Sequence, residues 1–286
     1  DVAPSRGLGD VYKRQVSVVG SSENTNYLLS FGYLDNPGTL KNTGLKNYSG
    51  RINIETQITK FLKVGTQTYA TFQTREPGNT SFTYMYQNTP AVTPYHDGKY
   101  GVSVDGASTS NLLADVMSRG GSYDDTRLNT TWYAKVNILD GLTAEARFNY
   151  QTLFNETATY SRKVDKQNFR TGEIIPGVSS STATTSRATT RYQNHTNTAT
   201  INYAKTFGKH DISILLGTEQ YYWNVKGFSA TRTGLLDLDL PDFTAALDLL
   251  DPTLGGTAEQ DYGVISYFGR LLSLIHISEP TRRSYI

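Results

Sequence analysis

At 286 residues the chain is long for one compact domain but ordinary for an all-β one. Hydrophobic residues make up only 37% and mean hydropathy is −0.45, so no window approaches the roughly 20 apolar residues that a membrane helix needs. The 27 basic and 26 acidic residues leave a formal charge of +1 without a basic block, which argues against nucleic acid as a partner, and the lack of cysteine removes disulfides, thiolate catalysis and cysteine-held metals.

Residues 1–15 and 273–286 show no periodicity and are set aside as non-native termini. Between them, Val16–Gly20 has the pattern of a strand's tail, followed by the short turn Ser21-Ser22-Glu23-Asn24. Tyr27, Leu29, Phe31 and Tyr33 then alternate against Asn26, Leu28, Ser30 and Gly32. After a medium loop at Asp35–Asn47, Ile52, Ile54, Thr56 and Ile58 alternate against Arg51, Asn53, Glu55 and Gln57. A brief Thr59-Lys60 turn leads to Val64, Thr66, Thr68, Ala70 and Phe72 on one side of a further strand. A period of two places successive side chains on opposite faces, which is the signature of strands.

Long connections are expected near 75–125, 156–190 and 226–260. The first holds two short helical patterns, Thr83–Gln87 and Asn111–Ser118. The second contains the Ser/Thr tract Ser179–Thr190, whose composition cannot bury a core. Between the first two lies the clearest hairpin. Leu128, Thr130, Trp132, Ala134, Val136 and Ile138 share one face, and Leu142, Ala144, Ala146, Phe148, Tyr150, Thr152 and Phe154 continue it beyond Asp140-Gly141, a pair suited to the positive φ of a primed turn. Another pair, His195–Lys205 and Asp211–Val225, flanks Phe207-Gly208-Lys209-His210, and Tyr262–Leu272 ends the series.

Arms of more than ten residues exceed the five or six of an ordinary strand and match the roughly 9–11 of a tilted strand crossing a bilayer. The opposite face carries Lys135, Glu145 and Arg147 among Asn and Gln, which suits a water-filled lumen. Connections alternate between short and longer, so an up-and-down order puts short turns at one rim and long loops at the other, as in transmembrane barrels. The twenty Tyr fit interfacial girdles. The expected fold is therefore all-β: an antiparallel up-and-down transmembrane β-barrel, present as an incomplete segment of about eight or nine strands. Two other readings stay open, a structural or adhesive outer-membrane barrel without transport and a soluble β-rich carbohydrate-binding domain.

The stretch Ser21–Gly65 has the order of a known family. It holds an [SG]-x-E-x-T-x-Y-x-x-S-x-G-Y segment with Glu23, Thr25, Tyr27, Ser30, Gly32 and Tyr33, a Y-S-x-R-x-N strand at Tyr48–Asn53, and an I-T-K-x-L-K-V-G turn at Ile58–Gly65. It resembles the opening barrel strands of SusC/RagA-type TonB-dependent outer-membrane transporters of Bacteroidetes, and Tyr203–Gln220 and Ser266–Leu271 are also similar. The resemblance implies a 22-stranded barrel plugged by an N-terminal domain, coupling to the TonB complex through that missing region, a SusD-like lipoprotein lid, and import of an oligosaccharide or peptide across the outer membrane. The ends resemble something else: PSRGLGDVYKRQ and LIHISEPTR look like translated sequencing-adapter runs.

No catalytic constellation stands out. The four His are scattered, so an enzyme is not expected, and neither a cofactor nor a metal is implied; the acidic loop Asp237–Asp242 lacks EF-hand spacing. Candidate ligand contacts lie in the longest connection, where Tyr84, Tyr86 and Tyr95 have faces to stack on sugar rings and Asn88 and Asp97 have polar groups to bond hydroxyls. Lys135, Glu145 and Arg147 are expected to face the lumen.

Overall fold

The computed structural model describes residues 11–40, 42–78, 92–104, 111–161, 164–175, 183–208, 210–234, 242–246, 253–256 and 259–275. In chain order the strands are β1 (Tyr12–Ser21), β2 (Thr25–Pro37), β3 (Thr43–Gln57), β4 (Leu62–Pro77), β5 (Tyr100–Gly101), β6 (Arg119–Leu139), β7 (Leu142–Ser161), β8 (Lys166–Gln167), β9 (Ile174–Ile175), β10 (Thr184–Phe207), β11 (His210–Thr233), β12 (Thr253–Gly255) and β13 (Gln260–Ile275). One short helix, α1 (Leu112–Met117), lies between β5 and β6, and a single 3-10 turn occupies Phe243–Ala245.

The long strands form one antiparallel sheet of ten strands in the order β1-β2-β3-β4-β6-β7-β10-β11, with β12 and β13 both pairing the far side of β11. Every long strand pairs with its neighbour in sequence, the up-and-down order expected from the alternating connections. Asp140-Gly141 is the whole loop between the paired residues Leu139 and Leu142, and Gly141 takes φ +79°. Gly208 takes φ +62° between the paired Phe207 and His210. A side chain with a Cβ is disfavoured at such angles, which is why glycine marks both turns.

Residues directly opposite in an antiparallel pair share a face. The register runs Leu29, Ile52, Thr68, Thr130, Tyr150 across β2, β3, β4, β6 and β7. One step nearer the short turns, Trp132 faces Phe148 with stacked rings 5.7 Å apart. No second layer covers this face among the described residues: Ile52 is 44% exposed, Trp132 49% and Phe72 57%. The buried apolar side chains lie elsewhere. Val102, Ala114 and Val116 sit in the β4–β6 connection, and Ala183, Val225, Ala230 and Ala246 lie on or beside the long-loop ends of β10 and β11.

The registers also give the tilt. The β1–β2 turn closes at Ser21 and Asn26, on the row of Glu55, Gly65, Tyr133 and Arg147. The β3–β4 turn closes two residues further along, at Gln57 and Lys63. The β6–β7 turn closes, at Leu139 and Leu142, three residues beyond Glu145 on the row of Lys63 and Lys135, and the β10–β11 turn four more, at Phe207 and His210. The stagger is about 1.5 residues per strand. At ~3.3 Å per residue and ~4.8 Å between strands, turns at a common level require strands tilted by about 45°, close to transmembrane barrel geometry.

The strands run further than their sequence period extends. The loop expected at Asp35–Asn47 shrinks to 38–42, and the three long connections to 78–118, 162–183 and 234–259, the last interrupted by β12. The second half of the Ser/Thr tract is strand rather than loop, with Thr185 only 2% exposed. Thr is β-branched and fits a pleated ladder, and main-chain pairing needs no apolar alternation once a strand rises beyond the lipid. The pairing also includes Tyr12–Gln15 and Ser273–Ile275, within stretches set aside for lack of a period.

If the apolar face stands in hydrocarbon, Ile52→Lys and Trp132→Lys should each destabilise the folded wall in lipid vesicles by about 2–4 kcal/mol. Gln67→Lys, on the opposite face, should stay within about 0.5 kcal/mol. Equilibrium unfolding of the full-length protein in vesicles measures all three; equal costs on the two faces would contradict the assignment.

Candidate functional site

The polar face of the sheet carries a connected set of charges close to the short turns. Lys135 and Glu145 stand directly opposite each other, one position beyond the paired Tyr133 and Arg147. Arg147 Nε donates to Glu145 Oε1, and its guanidinium lies 5.2 Å from the centre of the Tyr133 ring. Tyr133 Oη donates to Glu55 Oε2 at 2.8 Å, and Lys63 Nζ donates to Glu55 Oε1 at 2.9 Å. The network crosses β3, β4, β6 and β7. Glu55 pairs with Lys63 and Glu145 with Arg147, and both pairs are partly exposed, so they add little to stability.

Farther from the turns, on β6, β7 and β10, this face changes character. Asn149 Nδ2 donates to Asn129 Oδ1 and Thr131 Oγ1, both at 2.8 Å, and Asn194 Nδ2 reaches Gln151 Oε1 at 3.4 Å. Trp223 and Tyr262 continue the row of Asn194 on β11 and β13.

The long-loop rim is built differently. Parts of two connections fold onto each other: β5 pairs in parallel with β8, which pairs antiparallel with β9. Asn111 organises this unit. Its side-chain oxygen accepts from Ala114 N at 2.9 Å and caps α1, while its amide donates to Gly101 O at 2.7 Å and Pro94 O at 2.9 Å. Asn111 is 1% exposed, as are Val102, Ser103 and Ala114 around it. Lys166 Nζ bridges to Asp115 Oδ1 at 3.4 Å, tying β8 to the helix. In the third connection Asp242 accepts from the Thr244 hydroxyl at 2.6 Å and the Thr244 N–H at 2.8 Å, and these bonds hold its carboxyl below the usual carboxylate range. That contact persists at neutral pH and fails only on acidification below the depressed value.

Of the expected ligand contacts, Tyr95 and Asp97 lie on this rim. Tyr95 is 53% exposed, with its ring centre 5.0 Å from that of Tyr100. Asp97, at φ +47°, and Gly98 form the tip of a tight turn closed by paired hydrogen bonds between His96 and Lys99. Tyr84, Tyr86 and Asn88 lie outside the described residues. His96 packs edge-on against Phe169 from the neighbouring connection, 5.8 Å between ring centres. The sequence did not bring out Tyr100 and Phe169, because their partnership spans two connections and no local period signals it. Asn111 ahead of an apolar run did carry a helix-start signal, and α1 starts where that signal puts it.

No protein-family profile matches the chain. In sequence it is similar to TonB-dependent receptor P3 of Formosa agariphila, 25% identical over 244 residues, which cover 79% of this chain and 23% of that protein. It is also 25% identical to TonB-dependent receptor P26 of the same organism over 280 residues, covering 93% of this chain and 26% of that one. The chain thus spans about a quarter of the length of the curated relatives it matches. Its fold is similar to part of the RagAB peptide transporter, with a TM-score of 0.71 at 20% identity over 93% of this chain and 30% of the other. The open-open state of the RagAB peptide importer gives the same TM-score over 92% of this chain. The resemblance carried by Ser21–Gly65 holds in both sequence and fold. The sheet is an incomplete segment of an outer-membrane β-barrel.

Asn111→Ala removes a helix cap and leaves the buried Gly101 carbonyl without this donor, at about 1–3 kcal/mol for such a group. Hydrogen exchange should speed up in 92–104, 111–118 and 164–175 while the strands of the wall keep their protection. Unchanged exchange at the rim would show that Asn111 does not hold it together.

Proposed function

We propose that this chain is the wall and rim of a TonB-dependent importer that takes up oligosaccharides or peptides with a SusD-like surface lipoprotein. The observation that carries the reading is the ordered similarity to TonB-dependent receptors along most of the chain, on a sheet with one apolar and one hydrated face. TonB coupling would act through parts of the receptor outside this segment. The rim supplies first contact: Tyr95, braced by Tyr100, offers an exposed aromatic face, and Asp97 offers a carboxylate on a rigid turn. Aromatic faces stack on the apolar faces of sugar rings while carboxylates accept from hydroxyls, a combination that favours an oligosaccharide. The charged belt of Lys135, Glu145 and Arg147 would wet the lumen.

In the full-length receptor, Tyr95→Ala should weaken binding of a labelled oligosaccharide about tenfold, the scale of one lost stacking contact of ~1.4 kcal/mol. Asp97→Asn should have a smaller effect of the same sign. Uptake by cells should cease when TonB is deleted and fall when the adjacent lipoprotein is removed. Uptake that ignores TonB would favour a structural or adhesive barrel instead, and tight peptide binding that both substitutions leave unchanged would move the substrate away from sugars.

A further inference from the structure

One row of the outward face brings two cations together. A single hydrogen-bonding row crosses it through Tyr33, Tyr48, Phe72, Thr126, Phe154, Arg191 and Lys226. The row begins with rings that edge the apolar band and ends, on β10 and β11, with two cations directly opposite each other. Like charges so placed repel and destabilise a strand pair. Arg191 Nε is buried without a hydrogen-bond partner, and among the described residues no carboxylate pairs with Arg191. Lys226 reaches Glu259 at 3.5 Å, but both side chains are well exposed. The neighbouring Asp261 is already engaged by Asn224 Nδ2 at 2.6 Å and Tyr222 Oη at 3.0 Å. Glu156 stands opposite Thr189, beyond Arg191 on the side of the long loops.

The strand tilt fixes the depth of this pair. Arg191 lies 16 residues from Phe207 and Lys226 lies 16 from His210, the residues that close their shared turn. At ~3.3 Å per residue and a tilt of about 45°, that is about 37 Å above the turn rim. An apolar band of about 25 Å ends below that height, and the polar headgroup layer spans it. Tyr33 and Phe154 share the row but lie nearer their own turns, hence deeper, which explains why rings give way to cations along one line.

We propose that Arg191 and Lys226 form a binding site for a phosphate-bearing lipid headgroup of the outer leaflet. The phosphate supplies the counter-charge that Arg191 lacks, adds to Glu259 beside Lys226, accepts charge-assisted hydrogen bonds from the Arg191 guanidinium and the Lys226 ammonium, and relieves their repulsion. Continuity with the lipid-facing band seats the acyl chains beside Phe154 while the headgroup meets the cations. The site rests on the barrel's orientation alone and is independent of what the receptor imports.

The test uses the full-length receptor in detergent, with diphosphorylated lipid A as the probe and native mass spectrometry and thermal unfolding as readouts. Wild type should retain the lipid and unfold at a higher temperature when it is added; the doubly substituted Arg191→Gln/Lys226→Gln receptor should bind it about tenfold more weakly, as expected for lost charge-assisted contacts. Lys135→Gln, which removes a cation from the polar face, should bind like wild type and controls for net charge. Fully dephosphorylated lipid should bind wild type and the double variant alike. The proposal is overturned if the double variant retains the lipid as well as wild type, if dephosphorylated lipid binds wild type equally well, or if inorganic phosphate alone reproduces the thermal shift. Should the double variant fail to fold, Arg191→Lys, which keeps the charge, and Arg191→Gln replace it: retention by the first and loss by the second support the site, and equal binding by both refutes it.

Discussion

Everything in this structure depends on an uninterrupted main-chain ladder. From β2 to β11 each strand of the wall gives its N–H and C=O groups to a neighbour on either side, and with those groups satisfied the two faces are free to meet different solvents. A soluble sheet of this size would have to hide one face beneath helices or a second sheet. Here Ile52, Phe72 and Trp132 are left uncovered, an arrangement tolerable only where the surroundings are as apolar as the side chains. In hydrocarbon an unpaired backbone group costs several kcal/mol, so the closed ladder is a condition for entering the membrane at all.

With the wall relying on lipid for its apolar contacts, tight packing concentrates in the connections. Asn111 gathers Pro94, Gly101 and Ala114 around one amide, and β5, β8 and β9 lock two connections together. This inverts the usual globular protein: the barrel staves carry little buried core, and the loops carry their own. The separation has a functional side. A rim folded around its own small core can present Tyr95 and Asp97 in fixed positions without help from the strands beneath it.

Much of the wall was legible because strand geometry leaves a simple trace. Trp132 and Phe148 fell on one face from a period of two, and Asp140-Gly141 gave the turn from its φ requirement alone; both stand as paired in the structure. Strand ends were less legible. Beyond the lipid the outward side chains become polar, as at Ser122, Asp124, Arg187 and Thr189, so the period fades although the ladder continues through Thr184–Thr190 and Arg119–Asp125. The rim was barely legible. The contact of His96 with Phe169 joins residues far apart in sequence, and neither spacing nor composition encodes it. Lys135, Glu145 and Arg147 were easier, since register decides which face a residue occupies, and all three lie on the polar face.

The strands β10 and β11 run 24 residues each, about twice what a tilted strand needs to cross a bilayer. The surplus stands outside the membrane as a paired ribbon, raising the rim by about 25–30 Å for the same rise and tilt. A Gram-negative surface is coated with sugar chains anchored in the lipid around such a barrel. A mouth carried on a chimney of this height opens within or above that coat rather than at its roots. In the proposed importer, bulky solutes would reach the opening without first threading the carbohydrate brush, and the lipid seal at the base would stay undisturbed while they do.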